Sequence, residues 1–208
     1  MARKAHRIGR GKVPSGERKN ATGRAPPYTW SSGDAPVSAG PTSAEDSLRR
    51  GIELEQIAVA EGNDENFAHA QMLTGLVHLY VGKIALAKEH LERCVGLDPA
   101  HVRLSGKRVE DLVSPSLAYL ARAIWLLGQP DRAIACSDRA VELARGTELG
   151  LLPTQVTGMR MLVAQMVGDR DRIRTWVDRT LAIAEERDNP YWLRLARVID
   201  TWWYAMDG

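Results

Sequence analysis

The stretch QMLTGLVHLYVGKIALAKEHLERCVGLDP, residues 71–99, decides how this chain folds. Two apolar runs of helical spacing flank Gly82, and neither alternates with the period of two that a strand requires. Gly75 in the first run and Ala87 in the second carry almost no side chain. Such residues let two antiparallel helices cross with their backbones close, while Leu91 fills the space beside them. Gly82 is suited to the tight turn between the helices, and Pro99 is expected to end the second.

The same columns return downstream when segments are aligned on the inter-helix glycine. Around Gly128, Ala121 takes the place of Gly75, Ala133 that of Ala87 and Ala140 that of Cys94. Around Gly168 the small columns hold Met161 and Ile173, so the fit weakens. The spacing from Gly82 to Gly128 is 46 residues and that from Gly128 to Gly168 is 40. The excess over a minimal hairpin is assigned to the connections, above all residues 98–113. Helix starts are expected at Ser114-Pro115, Pro130, Pro153 and Asn189-Pro190, because proline is tolerated in a first turn, where its missing N–H would be unpaired anyway.

Two more helices are expected outside these hairpins. Thr42 and Glu45 have capping-box spacing ahead of an apolar run that Gly62 and Asn63 stop, which makes 42–61 a helix without its hairpin partner. Residues 190–207 form a second unpaired helix, ending in Trp202-Trp203-Tyr204. Arrays of stacked hairpins normally close on polar helices, so this end is expected to be covered by another copy, by a partner, or by the rest of a longer array.

Residues 1–41 have a different character. They are rich in Gly, Pro, Ser and Arg and nearly devoid of Leu, Ile and Phe, a composition that cannot offset the entropy of ordering. Eight Lys/Arg against Glu17 and Asp34 give residues 1–40 a charge of about +6, leaving about −4 for the remainder of a chain whose net charge is +2. The domain organisation is therefore a disordered basic tail, 1–41, and a helical domain, 42–208. There is no apolar run of membrane-spanning length and no secretory leader, so a cytoplasmic location without membrane contact is expected. Cys94 and Cys136, both inside expected helices, read as reduced core residues.

The intervals of residues 71–99 resemble those of a tetratricopeptide unit, whose standard length is about 34 residues. That resemblance implies an all-α fold, a right-handed superhelical array of antiparallel hairpins. Residues 116–142, with Trp125-Leu126-Leu127-Gly128 at their centre, are also similar to the repeat region of large bacterial signalling proteins. In those proteins a class III adenylate/guanylate cyclase domain precedes an ATPase module and then such repeats. The similarity extends over about 45–208, but the chain has no counterpart of the cyclase carboxylates or of a phosphate-binding loop. What the resemblance implies is the repeat region's role as a docking or sensing arm, or a fragment of such a protein without its catalytic domains.

Catalytic chemistry finds no support. Gly9-Arg10-Gly11-Lys12 lacks the strand and helix that a phosphate loop needs. The five histidines form no pair one turn apart and there is no Cys-x-x-Cys, so no metal or cofactor is expected. The basic tail leaves nucleic acid as an alternative partner, though Tyr28 and Trp30 follow the basic cluster instead of interleaving with it.

In a superhelix of this kind the first helices of successive hairpins line a concave groove, the expected site for a protein or peptide. The groove candidates are His69, Met72, Leu76 and Tyr80 from the first hairpin, then Arg122 and Trp125 from the second. The third supplies Gln155, Leu162 and Gln165, and the last helix Trp202. The competing reading of each candidate is plain packing, which is favoured further still for Trp176, Trp192 and Trp203. A non-catalytic interaction module in bacterial signalling is the function expected, with self-association through the last helix as a further possibility.

Overall fold

A computed structural model describes residues 43–97, 108–147 and 150–207. The basic tail, Thr42, Pro99, the connection 98–107 and Gly208 lie outside the described residues. Among those described, eight α-helices and no strand are present: α1 (Ala44–Glu61), α2 (Asp64–Tyr80), α3 (Ile84–Val95), α4 (Val109–Leu126), α5 (Pro130–Ala144), α6 (Leu152–Val167), α7 (Arg170–Glu186) and α8 (Pro190–Asp207). The fold is all-α and tetratricopeptide-like, as the spacing of small residues, glycines and prolines indicated.

One turn closes five of the junctions. A backbone N–H bonds the carbonyl five residues earlier at Asn63→Ala58 (2.8 Å), Lys83→His78 (2.9 Å), Gln129→Ile124 (3.2 Å), Asp169→Ala164 (3.1 Å) and Asn189→Ala184 (2.8 Å). This closure needs a left-handed residue just before the donor. Gly62, Gly82, Gly128 and Gly168 supply it, and Asp188, at φ 48°, supplies it in the last turn. The expected hairpin glycines are thus the turn residues, and Gly62 stops α1 by the same device.

The close crossing in the first hairpin is also as expected. A methyl group on Gly75 would fall 2.8 Å from Leu91 Cγ and 3.2 Å from the Ala87 carbonyl oxygen, so nothing larger than hydrogen fits. Ala87, Leu91, Ala121, Ala133 and Ala140 are all fully buried. Fully burying Leu91 contributes about 1.5–3 kcal/mol, and the alanines let the helices cross closely enough to bury it. The poorly matching Met161 and Ile173 are buried as well. Here the tightest approach has moved to Gly158, against whose backbone the Trp192 indole of α8 lies.

Three local expectations are corrected. α1 is capped by Ser43, whose Oγ accepts from the Asp46 N–H at 3.1 Å, one position beyond the expected Thr42–Glu45 pair. Ser114-Pro115 is no helix start: α4 begins at Val109 and carries Pro115 in its interior. The proline removes the N–H that would reach the Asp111 carbonyl. The flanking serines are used elsewhere, Ser114 Oγ donating to Ala140 O and Ser116 Oγ to Leu112 O, both at 3.0 Å. Residues 109–113 are therefore helix, not connection, and α3 ends at Val95, before Pro99 is reached.

Packing follows two rows. α2, α4, α6 and α8 touch in succession, whereas α1, α3, α5 and α7 do not touch one another and each packs only on helices of the first row. A row whose members meet while the flanking row is splayed forms the inner side of a curve, so the even-numbered helices present the concave face.

Candidate functional site

Tyr80 stands at the C-terminal end of α2 with 67% of its surface exposed. The Arg122 guanidinium of α4 lies over its ring, 5.8 Å from the centroid. One turn before Arg122, on the same face, is Tyr119, which is buried. Its phenol oxygen accepts a hydrogen bond of 3.0 Å from Gln155 Nε2 of α6. Side chains of α2, α4 and α6 are thereby joined in one strip along the inner row. Tyr191 of α8 is close enough to act electrostatically on Tyr119 and is itself exposed.

The electrostatics of this strip are set by burial. Burial pushes the Tyr119 phenol up to about 12, with Tyr80 and Tyr191 adding to the shift and Gln155 and Arg122 opposing it. Tyr119 is therefore a neutral hydroxyl throughout the physiological range, suited to hydrogen bonding and not to proton transfer. Arg122 Nε is buried and makes no hydrogen bond. A buried guanidinium donor without an acceptor is costly.

The structure places the ten groove candidates in different surroundings. Tyr80, Arg122 and Gln155 belong to the strip. Gln165 and Trp202 meet elsewhere, in a cleft of about 300 Å³ that Ile173 and Trp203 also line at the α6–α7 turn. Met72 and Leu76, expected in the groove, are buried in the core instead and have no surface to offer. The face of α2 that looked open is covered because α4 packs against it as well as α1 and α3. Trp125 and Leu162 are half-buried and lean on the core, and His69 is half-buried outside both clusters. Trp176, Trp192 and Trp203 do pack between helices, as expected.

Two strip residues escaped the sequence reading. Tyr119 and Tyr191 were passed over, although Tyr119 lies at i−3 from Arg122 and so had to share its face.

A family model described as the tetratricopeptide repeat aligns with the chain across α2 and α3. Residues 68–101 match the tetratricopeptide repeat. The α4–α5 hairpin repeats the same turn and the buried alanine columns, and the α6–α7 hairpin repeats the turn. No curated protein matches the chain. Among the described residues no group of three or more His, Cys, Asp or Glu is placed to hold a metal ion, and no helix is long and apolar enough to cross a membrane.

Proposed function

We propose that this chain is a non-catalytic interaction module that holds an extended peptide segment of a partner protein on the strip formed by Tyr80, Tyr119, Arg122, Gln155 and Tyr191. The observation that carries this reading is the Arg122 side chain, fixed against Tyr80 with its Nε buried and lacking an acceptor. A peptide carboxylate or carbonyl supplies that acceptor, and exposed phenols on either side offer flat, amphipathic contact area. Tetratricopeptide repeats act in protein interaction, which fits a site built for peptide and not for catalysis.

The test is to pan a random peptide library on the full chain and measure enriched peptides by fluorescence anisotropy. Enriched sequences are expected to carry Asp or Glu, and Tyr80→Ala or Arg122→Ala should weaken binding at least tenfold with an unchanged thermal melt, about 1.4 kcal/mol at this contact. Peptides that bind both variants as well as the parent chain would overturn the reading.

The signalling setting rests on the resemblance of residues 116–142 to repeat regions that follow cyclase and ATPase modules. In that setting the chain is a cytoplasmic docking arm, complete or as part of a larger protein. The second reading, nucleic-acid association, is supported by the charge of about +6 in residues 1–40. It requires salt-sensitive binding to a DNA or RNA duplex that disappears when residues 1–41 are deleted.

A further inference from the structure

α8 turns Trp192, Ala196 and Ile199 inward against α6 and α7. A second apolar stripe runs beside that buried one. Tyr191, Leu195, Val198 and Trp202 follow at i, i+4, i+7 and i+11, the spacing of a single helix face. Val198 is 62% exposed, Tyr191 and Trp202 are also exposed, and Leu195 is half-buried. Leu195 leans on the core and Trp202 borders the cleft at the α6–α7 turn, but among the described residues α8 has no outer-row helix beyond α7 to cover the rest of this stripe.

α1, at the opposite end, has the matching character. Among the described residues it packs only on α2, through Gly51, Leu54 and Ala58. Leu48, Ile52 and Val59 form a stripe beside that contact, with Ile52 50% exposed.

We infer that the α8 stripe of one chain receives α1 of a second copy, in a head-to-tail contact. The internal order of the array argues for this occupant. Each inner-row helix from α2 to α6 is followed by an outer-row helix packed across it: α3 on α2, α5 on α4, α7 on α6. α1 is itself an outer-row helix, packed on α2. Placing it on α8 of a neighbour continues the alternation without a break, through the kind of contact the chain already makes internally.

Charge points the same way. α1 carries five carboxylates and two guanidinium groups. On α8, the exposed edge beyond the stripe presents Arg194 and Arg197, the latter 3.9 Å from Glu185 of α7, while Asp200 is turned aside to Arg174 at 2.8 Å. The acidic helix and the basic edge attract, and like ends repel or gain nothing. Such a contact joins two different surfaces, so it propagates into rings or chains instead of stopping at a symmetric dimer.

Sedimentation of the full chain over a concentration series, with Val198→Glu and Ile52→Glu, tests this. Both positions are exposed, so circular dichroism should show unchanged helicity. The parent chain is expected to gain mass with concentration, and each variant alone to be monomeric. Mixed, the two variants should form a one-to-one dimer and nothing larger, because each retains one competent end. A parent chain that stays monomeric overturns the inference. So does an Ile52→Glu chain that still associates while Val198→Glu does not, which would mean symmetric pairing of α8. Association that appears only after residues 1–42 are removed also overturns it, and assigns the stripe to the tail.

Discussion

Arg160 Nε donates to Asp138 Oδ1 at 2.6 Å, although Arg160 is 1% exposed and Asp138 is half in solvent. This bond ties α6 to α5, and the same guanidinium lies 4.8 Å from the centroid of the Trp176 ring on α7. Its NH1 atom is buried and makes no hydrogen bond. The two partners are therefore unequal. Asp138→Ala strands a buried cation and is expected to cost about 3 kcal/mol. Arg160→Met leaves a carboxylate that water can reach and fills most of the same volume, so it should cost about 1 kcal/mol. Urea unfolding of the two variants checks the order, and equal losses would contradict it.

Two kinds of glycine are present, and substitution separates them. At Gly128 no atom lies within 4 Å of where a methyl group would stand, but φ is 78°. Gly128→Ala should therefore lose about 1–2 kcal/mol from the left-handed backbone alone. At Gly158 the Trp192 indole occupies the space a methyl needs. Gly158→Ala should displace that ring, cost about 1–3 kcal/mol and shift the tryptophan emission to the red, whereas Gly128→Ala leaves the emission unchanged.

The hairpins were legible in the sequence because backbone geometry dictates residue type there. A left-handed turn asks for glycine, a first helical turn admits proline, and the closest crossing admits only glycine, as at Gly82, Pro130 and Gly75. Asp188 shows the limit: it takes the same turn conformation without the glycine that would announce it. Pro115 misled for a related reason, since proline marks a helix start only by prior expectation, and here it sits inside α4. Arg160 and Met72 could not be placed either. Their burial depends on how many neighbours a helix acquires, which periodicity along one helix does not encode.

His78 and His90 stack with ring centroids 5.4 Å apart. Burial lowers both pKa values; at His78 the neighbouring His90 and Lys83 add to it, and at His90 Arg93 does so against Glu55 and Glu89. Because the folded values lie below that of an unfolded histidine, about 6.5, the unfolded chain binds more protons as pH falls. Stability is then full above about pH 6.5 and declines as the pH drops from there through the folded values. Replacing both residues with glutamine should flatten that decline in denaturant titrations at a series of pH values.

Burial pushes the thiols of Cys94 and Cys136 up to about 11. Cys94 Sγ also lies 3.0 Å from Ser116 Oγ. At neutral pH neither carries thiolate in useful amount, so both should react slowly with a disulfide reagent. Labelling is expected to accelerate sharply at the denaturant concentration where helicity is lost, and rapid labelling of the native chain would contradict the packing.

Among the described residues α1 is held through one neighbour and three buried residues, the smallest of which is a glycine. In a structure stabilised by nearest-neighbour contacts, such a terminal helix is the first to detach and the last to be protected from hydrogen exchange. Whatever occupies its open side therefore changes more than assembly. It converts a frayed end into an ordered one, so the concentration of the occupant sets how much of the chain is folded at any moment.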